Sequence, residues 1–67
     1  MATVPTLTEK QLEAARLAAQ GHTYPEIGDE MGISASSARQ HIDAVRRKLG
    51  LKFKREIARA LAEQELL

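Results

Sequence analysis

Apolar residues return along this chain at the three- and four-residue spacing of helices, and nowhere at the alternating spacing of a half-buried strand. The first group is Leu12, Ala14, Ala15, Leu17, Ala18 and Ala19. It is announced by Thr8-x-x-Gln11, a capping box in which each side chain can bond the other residue's backbone N–H, with Leu7 and Leu12 placed for a hydrophobic staple. Gly21 is its natural stop. A second capping box, Thr23-x-x-Glu26, opens a short helix that holds Ile27 and Met31 and ends at Gly32; Pro25 falls in the first turn, where a missing N–H costs nothing. Ser34 is a good cap for a third helix, whose apolar positions Ala38, Ile42, Val45 and Leu49 repeat until Gly50. After a short basic connection, Ile57, Ala58, Leu61 and Leu66 mark a fourth amphipathic helix from about Lys54 to the C-terminus. The expected fold is all-α, with residues 1–6 as a short N-terminal tail and 7–67 as one four-helix domain.

Composition narrows this picture. A chain of 67 residues with one Phe, one Tyr and no Trp has core enough for one domain and not for two. With no cysteine there is neither a disulfide nor a thiolate–metal site to staple it, so the helices themselves must pack efficiently. The alanine-heavy first helix suits that, because small side chains let neighbours approach closely. No apolar run approaches the roughly 18 residues that a membrane span needs, and residues 1–6 do not read as a signal peptide. The expectation is a soluble, cytoplasmic protein without membrane contact.

The middle of the chain carries the most specific local signal. A short helix, a glycine-centred turn and a longer helix are the parts of a helix-turn-helix. Two helices meeting at a steep angle across a tight turn need a tiny residue where they touch and a residue permissive of positive φ in the turn. Gly28 is placed for the first role and Gly32 for the second, with Ile27, Met31, Ile33 and Ala38 to seal the corner.

Net charge is +1, which is uninformative until it is resolved along the chain. Residues 1–33 carry Lys10 and Arg16 against five acids, and residues 56–67 carry Arg59 against three. Residues 34–55 carry Arg39, Arg46, Arg47, Lys48, Lys52, Lys54 and Arg55 against Asp43 alone. Such a concentration is the usual footprint of a polyanion partner. At about 100° per residue, Ala38, Ile42, Val45 and Leu49 share one face of the third helix and leave Ser36, Gln40, Asp43 and Arg47 opposite. Arg39 and Arg46 lie on one shoulder, Ser37, Ala44 and Lys48 on the other. Long donors interleaved with small residues suit a DNA major groove, where Arg and Gln can make paired bonds to guanine and adenine edges.

With these residues in view, the chain resembles the LuxR-type (GerE-like) DNA-binding domain of bacterial transcription regulators from Leu7 to about Leu66. The landmarks are Leu7-Thr8, the alanine-rich first helix ending at Gly21, Glu26-Ile27, Ile33-Ser34, His41, Lys48-Leu49-Gly50 and the final amphipathic helix. The resemblance implies a four-helix domain whose third helix, about 34–49, enters the major groove of double-stranded DNA. By position it assigns base reading to Arg39, Gln40 and Asp43, and places Thr23, Ser36, Ser37, Arg46, Arg47 and Lys48 toward phosphates. It also implies a weak homodimer through the fourth helix, with Ile57, Ala58 and Leu61 as contacts, on two half-sites. RNA polymerase becomes a candidate partner, and the bacterial nucleoid the place of action. The chain departs from the pattern at Gly28, where alanine is usual, and at Phe53 and Lys54, where a small polar residue and Arg are more frequent. Asp43 faces a polyanion, so it must accept from a cytosine amino group or orient a neighbouring Arg.

Other functional classes fit less well. Catalysis needs polar groups converging in a pocket. Here no His pair has i, i+4 spacing, and His41 and Asp43, two residues apart, point away from each other. No metal site and no cofactor is expected, and His41 reads as a structural, partly buried residue. A sigma-factor-like promoter-binding domain and a small helical adaptor for an acidic protein remain alternatives. The chain carries no receiver or ligand-sensing domain, so it reads as a free-standing short regulator or a fragment of a larger one.

Overall fold

The computed structural model describes residues 7–66, so the tail expected over 1–6 and the terminal Leu67 lie outside the described residues. Helix α1 spans Glu9–Ala19, α2 Tyr24–Met31, α3 Ala35–Leu49 and α4 Ile57–Glu63, the last entered through a 3-10 turn at Lys54–Glu56. The described residues are helical without strands. Each helix of the first three starts where its cap stands. Thr8 Oγ1 accepts from the Gln11 N–H while Gln11 Oε1 accepts from the Thr8 N–H, both at 3.1 Å. Thr23 and Glu26 repeat the exchange at 3.3 and 2.8 Å, and Ser34 Oγ accepts from the Ser37 N–H at 3.0 Å.

The corner between α2 and α3 sets the angle of the whole domain. Gly32 ends α2 at φ 71°, a left-handed conformation that lets the chain reverse at once into Ile33, whose N–H donates back to the Gly28 carbonyl at 2.9 Å. Gly28 is buried against the turn itself. A Cβ there would lie 2.6 Å from the Ile33 carbonyl oxygen and 3.1 Å from the Ser34 carbonyl carbon. The missing side chain is therefore what allows α2 to touch the backbone that starts α3.

Ala14, Ala15, Ile27, Ala38, Ile42, Val45, Ile57 and Leu61 form the fully buried core. Three of these eight are alanines, which brings the backbones of α1 and α3 close and leaves the bulk to Ile27, Ile42, Ile57 and Leu61. Leu12, Leu17, Met31, Leu49 and Leu51 close the edges.

The fourth helix differs from its expected form in extent and in which of its residues are left uncovered. It is two turns long and stops at Glu63 instead of running to the end of the chain. Glu65 then takes φ 59°, and the Leu66 N–H donates to the Leu61 carbonyl at 2.8 Å. This closure folds Leu66 back onto the core, where Arg16 Nε donates to its carbonyl at 2.8 Å. Ile57 and Leu61, expected as dimer contacts, are 0% exposed within one copy. They cannot also meet a second copy without opening the core, because each already fills space that the small residues of α1 leave. Only Ala58 of that expected set keeps partial exposure.

Candidate nucleic-acid interface

Burial of Ala38, Ile42 and Val45 fixes the roll of α3, and with it the face that remains outside. Ser36, Arg39, Gln40 and Arg47 are exposed along that face, and Asp43 and Arg46 are half-buried at its shoulder. The last turn of the helix carries three cations, Arg46, Arg47 and Lys48, which complement the negative end of its dipole.

The three residues expected to read bases are brought together. Gln40 stands on the exposed face, and Arg39 and Asp43 form an i, i+4 ion pair with 3.9 Å between Nε and Oδ2. Arg39 keeps 69% of its side chain exposed, so this pair is loose and solvent-screened. Asp43 has a firmer partner. Arg46 Nη2 donates to Asp43 Oδ1 at 2.7 Å, and Arg46 Nη1 donates to the Lys52 carbonyl at 2.8 Å. The bond to Asp43 raises the Arg46 pKa above its usual value, against some desolvation. The lone carboxylate of the basic segment thus lies between two arginines.

Residues expected at phosphates divide into two groups. Ser36 and Arg47 are exposed on α3, and Thr23 is exposed at the start of α2, its hydroxyl oxygen accepting the Glu26 N–H. Ser37 sits in the first turn of α3, where its hydroxyl oxygen accepts from the Ser34 hydroxyl at 3.1 Å. The other group is engaged within the protein. Lys48 Nζ donates to Gln11 Oε1 at 2.8 Å, which ties the end of α3 to the cap of α1. Arg46 has both terminal nitrogens bonded, to Asp43 and to Lys52.

In the segment that follows α3 the sequence motifs mark only the departures at Phe53 and Lys54. Glu56 Oε1 accepts from the N–H groups of Lys52 and Phe53 at 3.0 and 2.8 Å. Lys54 Nζ lies 4.6 Å from the centre of the Tyr24 ring and donates to the His22 carbonyl at 2.8 Å, so this cation docks the loop on the entry to α2. Phe53 is the exposed large hydrophobic residue among those described, at 51%, with the Arg55 guanidinium 4.5 Å over its ring. The signal that could have found this loop is the charge count, which already placed Lys52, Lys54 and Arg55 in the basic third of the chain.

His41 is half-buried, and His22 Nδ1 lies 3.7 Å from Glu26 Oε1 at the α2 cap. Glu26 has its pKa lowered, first by the hydrogen bond from the Thr23 backbone and further by Thr23 Oγ1 and His22, against some desolvation. Among the described residues no group of three or more His, Cys, Asp or Glu could hold a metal ion, and no helix is long and apolar enough to cross a membrane. A concavity of about 530 Å³ lies on α1 and the end of α2, lined by Leu12 and Leu17 and by both signs of charge, Glu9, Glu13 and Glu30 with Lys10 and Arg16.

A short helix pressed through a glycine onto the start of a longer one, whose outer face carries arginines, glutamine and serines, defines a helix-turn-helix domain. The sequence pattern of the bacterial regulatory proteins of the luxR family matches residues 5–61, and the chain belongs to that family. It is 40% identical over 48 residues to the spore germination protein GerE of Bacillus subtilis (strain 168), a match covering 72% of this chain and 65% of that protein. The matched stretch is thus slightly under two thirds of that relative. No solved structure matches the chain significantly.

Proposed function

We propose that this protein binds double-stranded DNA sequence-specifically and regulates transcription, with α3 lying in the major groove. One observation carries the reading: the roll of α3, fixed by Ala38, Ile42 and Val45 in the core, turns Arg39, Gln40 and Arg47 outward on the most basic third of the chain. Membership of a family of bacterial regulatory proteins supports it. Arg39 and Gln40 read base edges, and Asp43 orients Arg39 and rejects phosphate from the centre of the face. Thr23, Ser36, Ser37, Arg47 and Lys48 take the backbone. The site of action is then the chromosome, and RNA polymerase is a partner to test.

One recognition helix reads only a few base pairs, so two copies on half-sites about one helical turn apart are expected. With Ile57 and Leu61 enclosed in the core, the contact between copies falls to the outer side of α4, around Ala58 and Ala62. Such a patch is small, and the pair forms on DNA more readily than in solution. Selection from a random duplex pool tests both parts. Enrichment of a site with two related halves supports them, a single half-site rejects the pair, and a pool with no enriched sequence rejects specific readout.

A further inference from the structure

The engagement of Arg46 inside the protein gives it a different task from its neighbours on α3. Its side chain is 30% exposed and that of Asp43 29%, against 69% for Arg39. Two strong acceptors face it, the Asp43 carboxylate at 2.7 Å and the Lys52 carbonyl at 2.8 Å, and hydrogen bonds with an ionised partner are the stronger kind. A planar guanidinium can span a carboxylate and a carbonyl at once; an ammonium on a flexible stem holds such a pair poorly. The Lys52 carbonyl belongs to the loop that leaves α3, which Glu56 also gathers through the Lys52 and Phe53 N–H groups. Lys54 pins the far side of that loop to the His22 carbonyl and the Tyr24 ring. The loop is therefore held from both sides, with Lys52, Phe53 and Arg55 left exposed.

We infer that Arg46 is a positioning residue: anchored by Asp43, it holds the Lys52–Arg55 loop against the shoulder of α3, so that Lys52 and Arg55 form a second cationic edge for the DNA backbone beside the groove. The inference rests on the DNA-binding reading and adds to it a contact surface outside the helix-turn-helix. It also gives Asp43 a purpose that base reading alone does not, since the carboxylate fixes the arginine that fixes the loop.

Arg46→Lys separates this from a direct phosphate contact, because it removes no charge. In the free protein, amide hydrogen exchange at Lys52 and Phe53 should become about tenfold faster, as local opening of the loop requires. On a generic duplex the slope of log K against log salt should flatten by about two units, to that of the Lys52→Gln/Arg55→Gln double variant, as loss of two phosphate contacts demands. Arg46→Lys with wild-type exchange and wild-type slope would overturn the inference, as would a double variant that binds like wild type. Should Arg46→Lys fail to fold, Asp43→Asn loosens the same anchor from its other end and must raise exchange at Lys52 and Phe53; unchanged exchange there also overturns it. A wild-type protein with no affinity for the duplex would sink the DNA reading, while the exchange data still decide whether Arg46 holds the loop.

Discussion

Replacing Gly28 with alanine tests the geometry on which the angle between α2 and α3 depends. The new Cβ would sit 2.6 Å from the Ile33 carbonyl oxygen, about 0.8 Å inside ordinary contact, with the Ser34 carbonyl carbon and oxygen at 3.1 and 3.2 Å. All three obstacles are backbone. They cannot swing aside as a side chain would, and the Ile33 N–H bond to the Gly28 carbonyl holds the two segments together at 2.9 Å. Overpacking costs about 1–3 kcal/mol, and with backbone as every obstacle the cost falls in the upper part of that range, about 2–3 kcal/mol. Against it stands the helical preference of alanine over glycine, roughly 1 kcal/mol. The steric cost prevails, and a net loss of about 1–2 kcal/mol should lower the melting temperature by roughly 5–15 °C in a domain of this size. Thermal and urea unfolding followed by circular dichroism read the difference. Gly21→Ala makes a useful comparison, since nothing lies within 4 Å of its Cβ and only its φ of 93° is strained. A Gly28→Ala protein as stable as wild type would refute the claim that contact through glycine sets this corner.

Three further outcomes follow from named contacts. Arg39→Ala and Gln40→Ala should each cost about 1–3 kcal/mol on the selected site and little on random duplex; equal losses on both would move these residues to the backbone. Glu26 has a pKa below the usual 4.5, so its capping contribution is complete above that value and is lost as pH falls through the lower folded-state pKa. Glu26→Gln keeps an acceptor for the Thr23 N–H without the titration, and its stability difference from wild type should shrink on acidification below pH 4.5, whereas a constant difference would contradict the assignment. Glu65→Gly relieves the left-handed residue after α4 and should raise stability by about 0.5–1 kcal/mol in urea unfolding; a loss would show that the Glu65 side chain does more than tolerate its φ.

The parts of this fold legible in the sequence are those decided within a few residues. Thr8, Thr23 and Ser34 cap because their partners stand three positions away, and Gly28 and Gly32 shape the corner because the turn between the helices is so short. The roll of α3 was equally local, a matter of apolar period, which is why Arg39, Gln40 and Asp43 come out together. What was hidden depends on distant backbone. The acceptor of Lys54 is a carbonyl 32 residues earlier, and the second acceptor of Arg46, the Lys52 carbonyl, is reached only after the chain has turned past Gly50. Ile57 and Leu61 show the same limit from another side: an apolar stripe marks a face that will be covered, and only packing against the alanines of α1 decides that its own copy covers it. Leu66 gave no local warning of its return, since the residue that takes positive φ is Glu65 and not a glycine.

Whether the basic third of the chain meets a polyanion is the question on which the rest depends, and a salt titration of binding to random duplex answers it directly. Arg39, Arg47, Lys48, Lys52 and Arg55 are exposed on α3 and the loop after it, Lys48 with its Nζ bonded to Gln11 Oε1, while Arg46 and Lys54 are half-buried and bonded within the protein. With about four of the exposed cations on phosphates per copy, log K should fall against log salt with a slope of about −4. That slope, with affinity lost steeply above physiological salt, is the predicted result. A slope near zero, or no binding at low salt, would contradict the account.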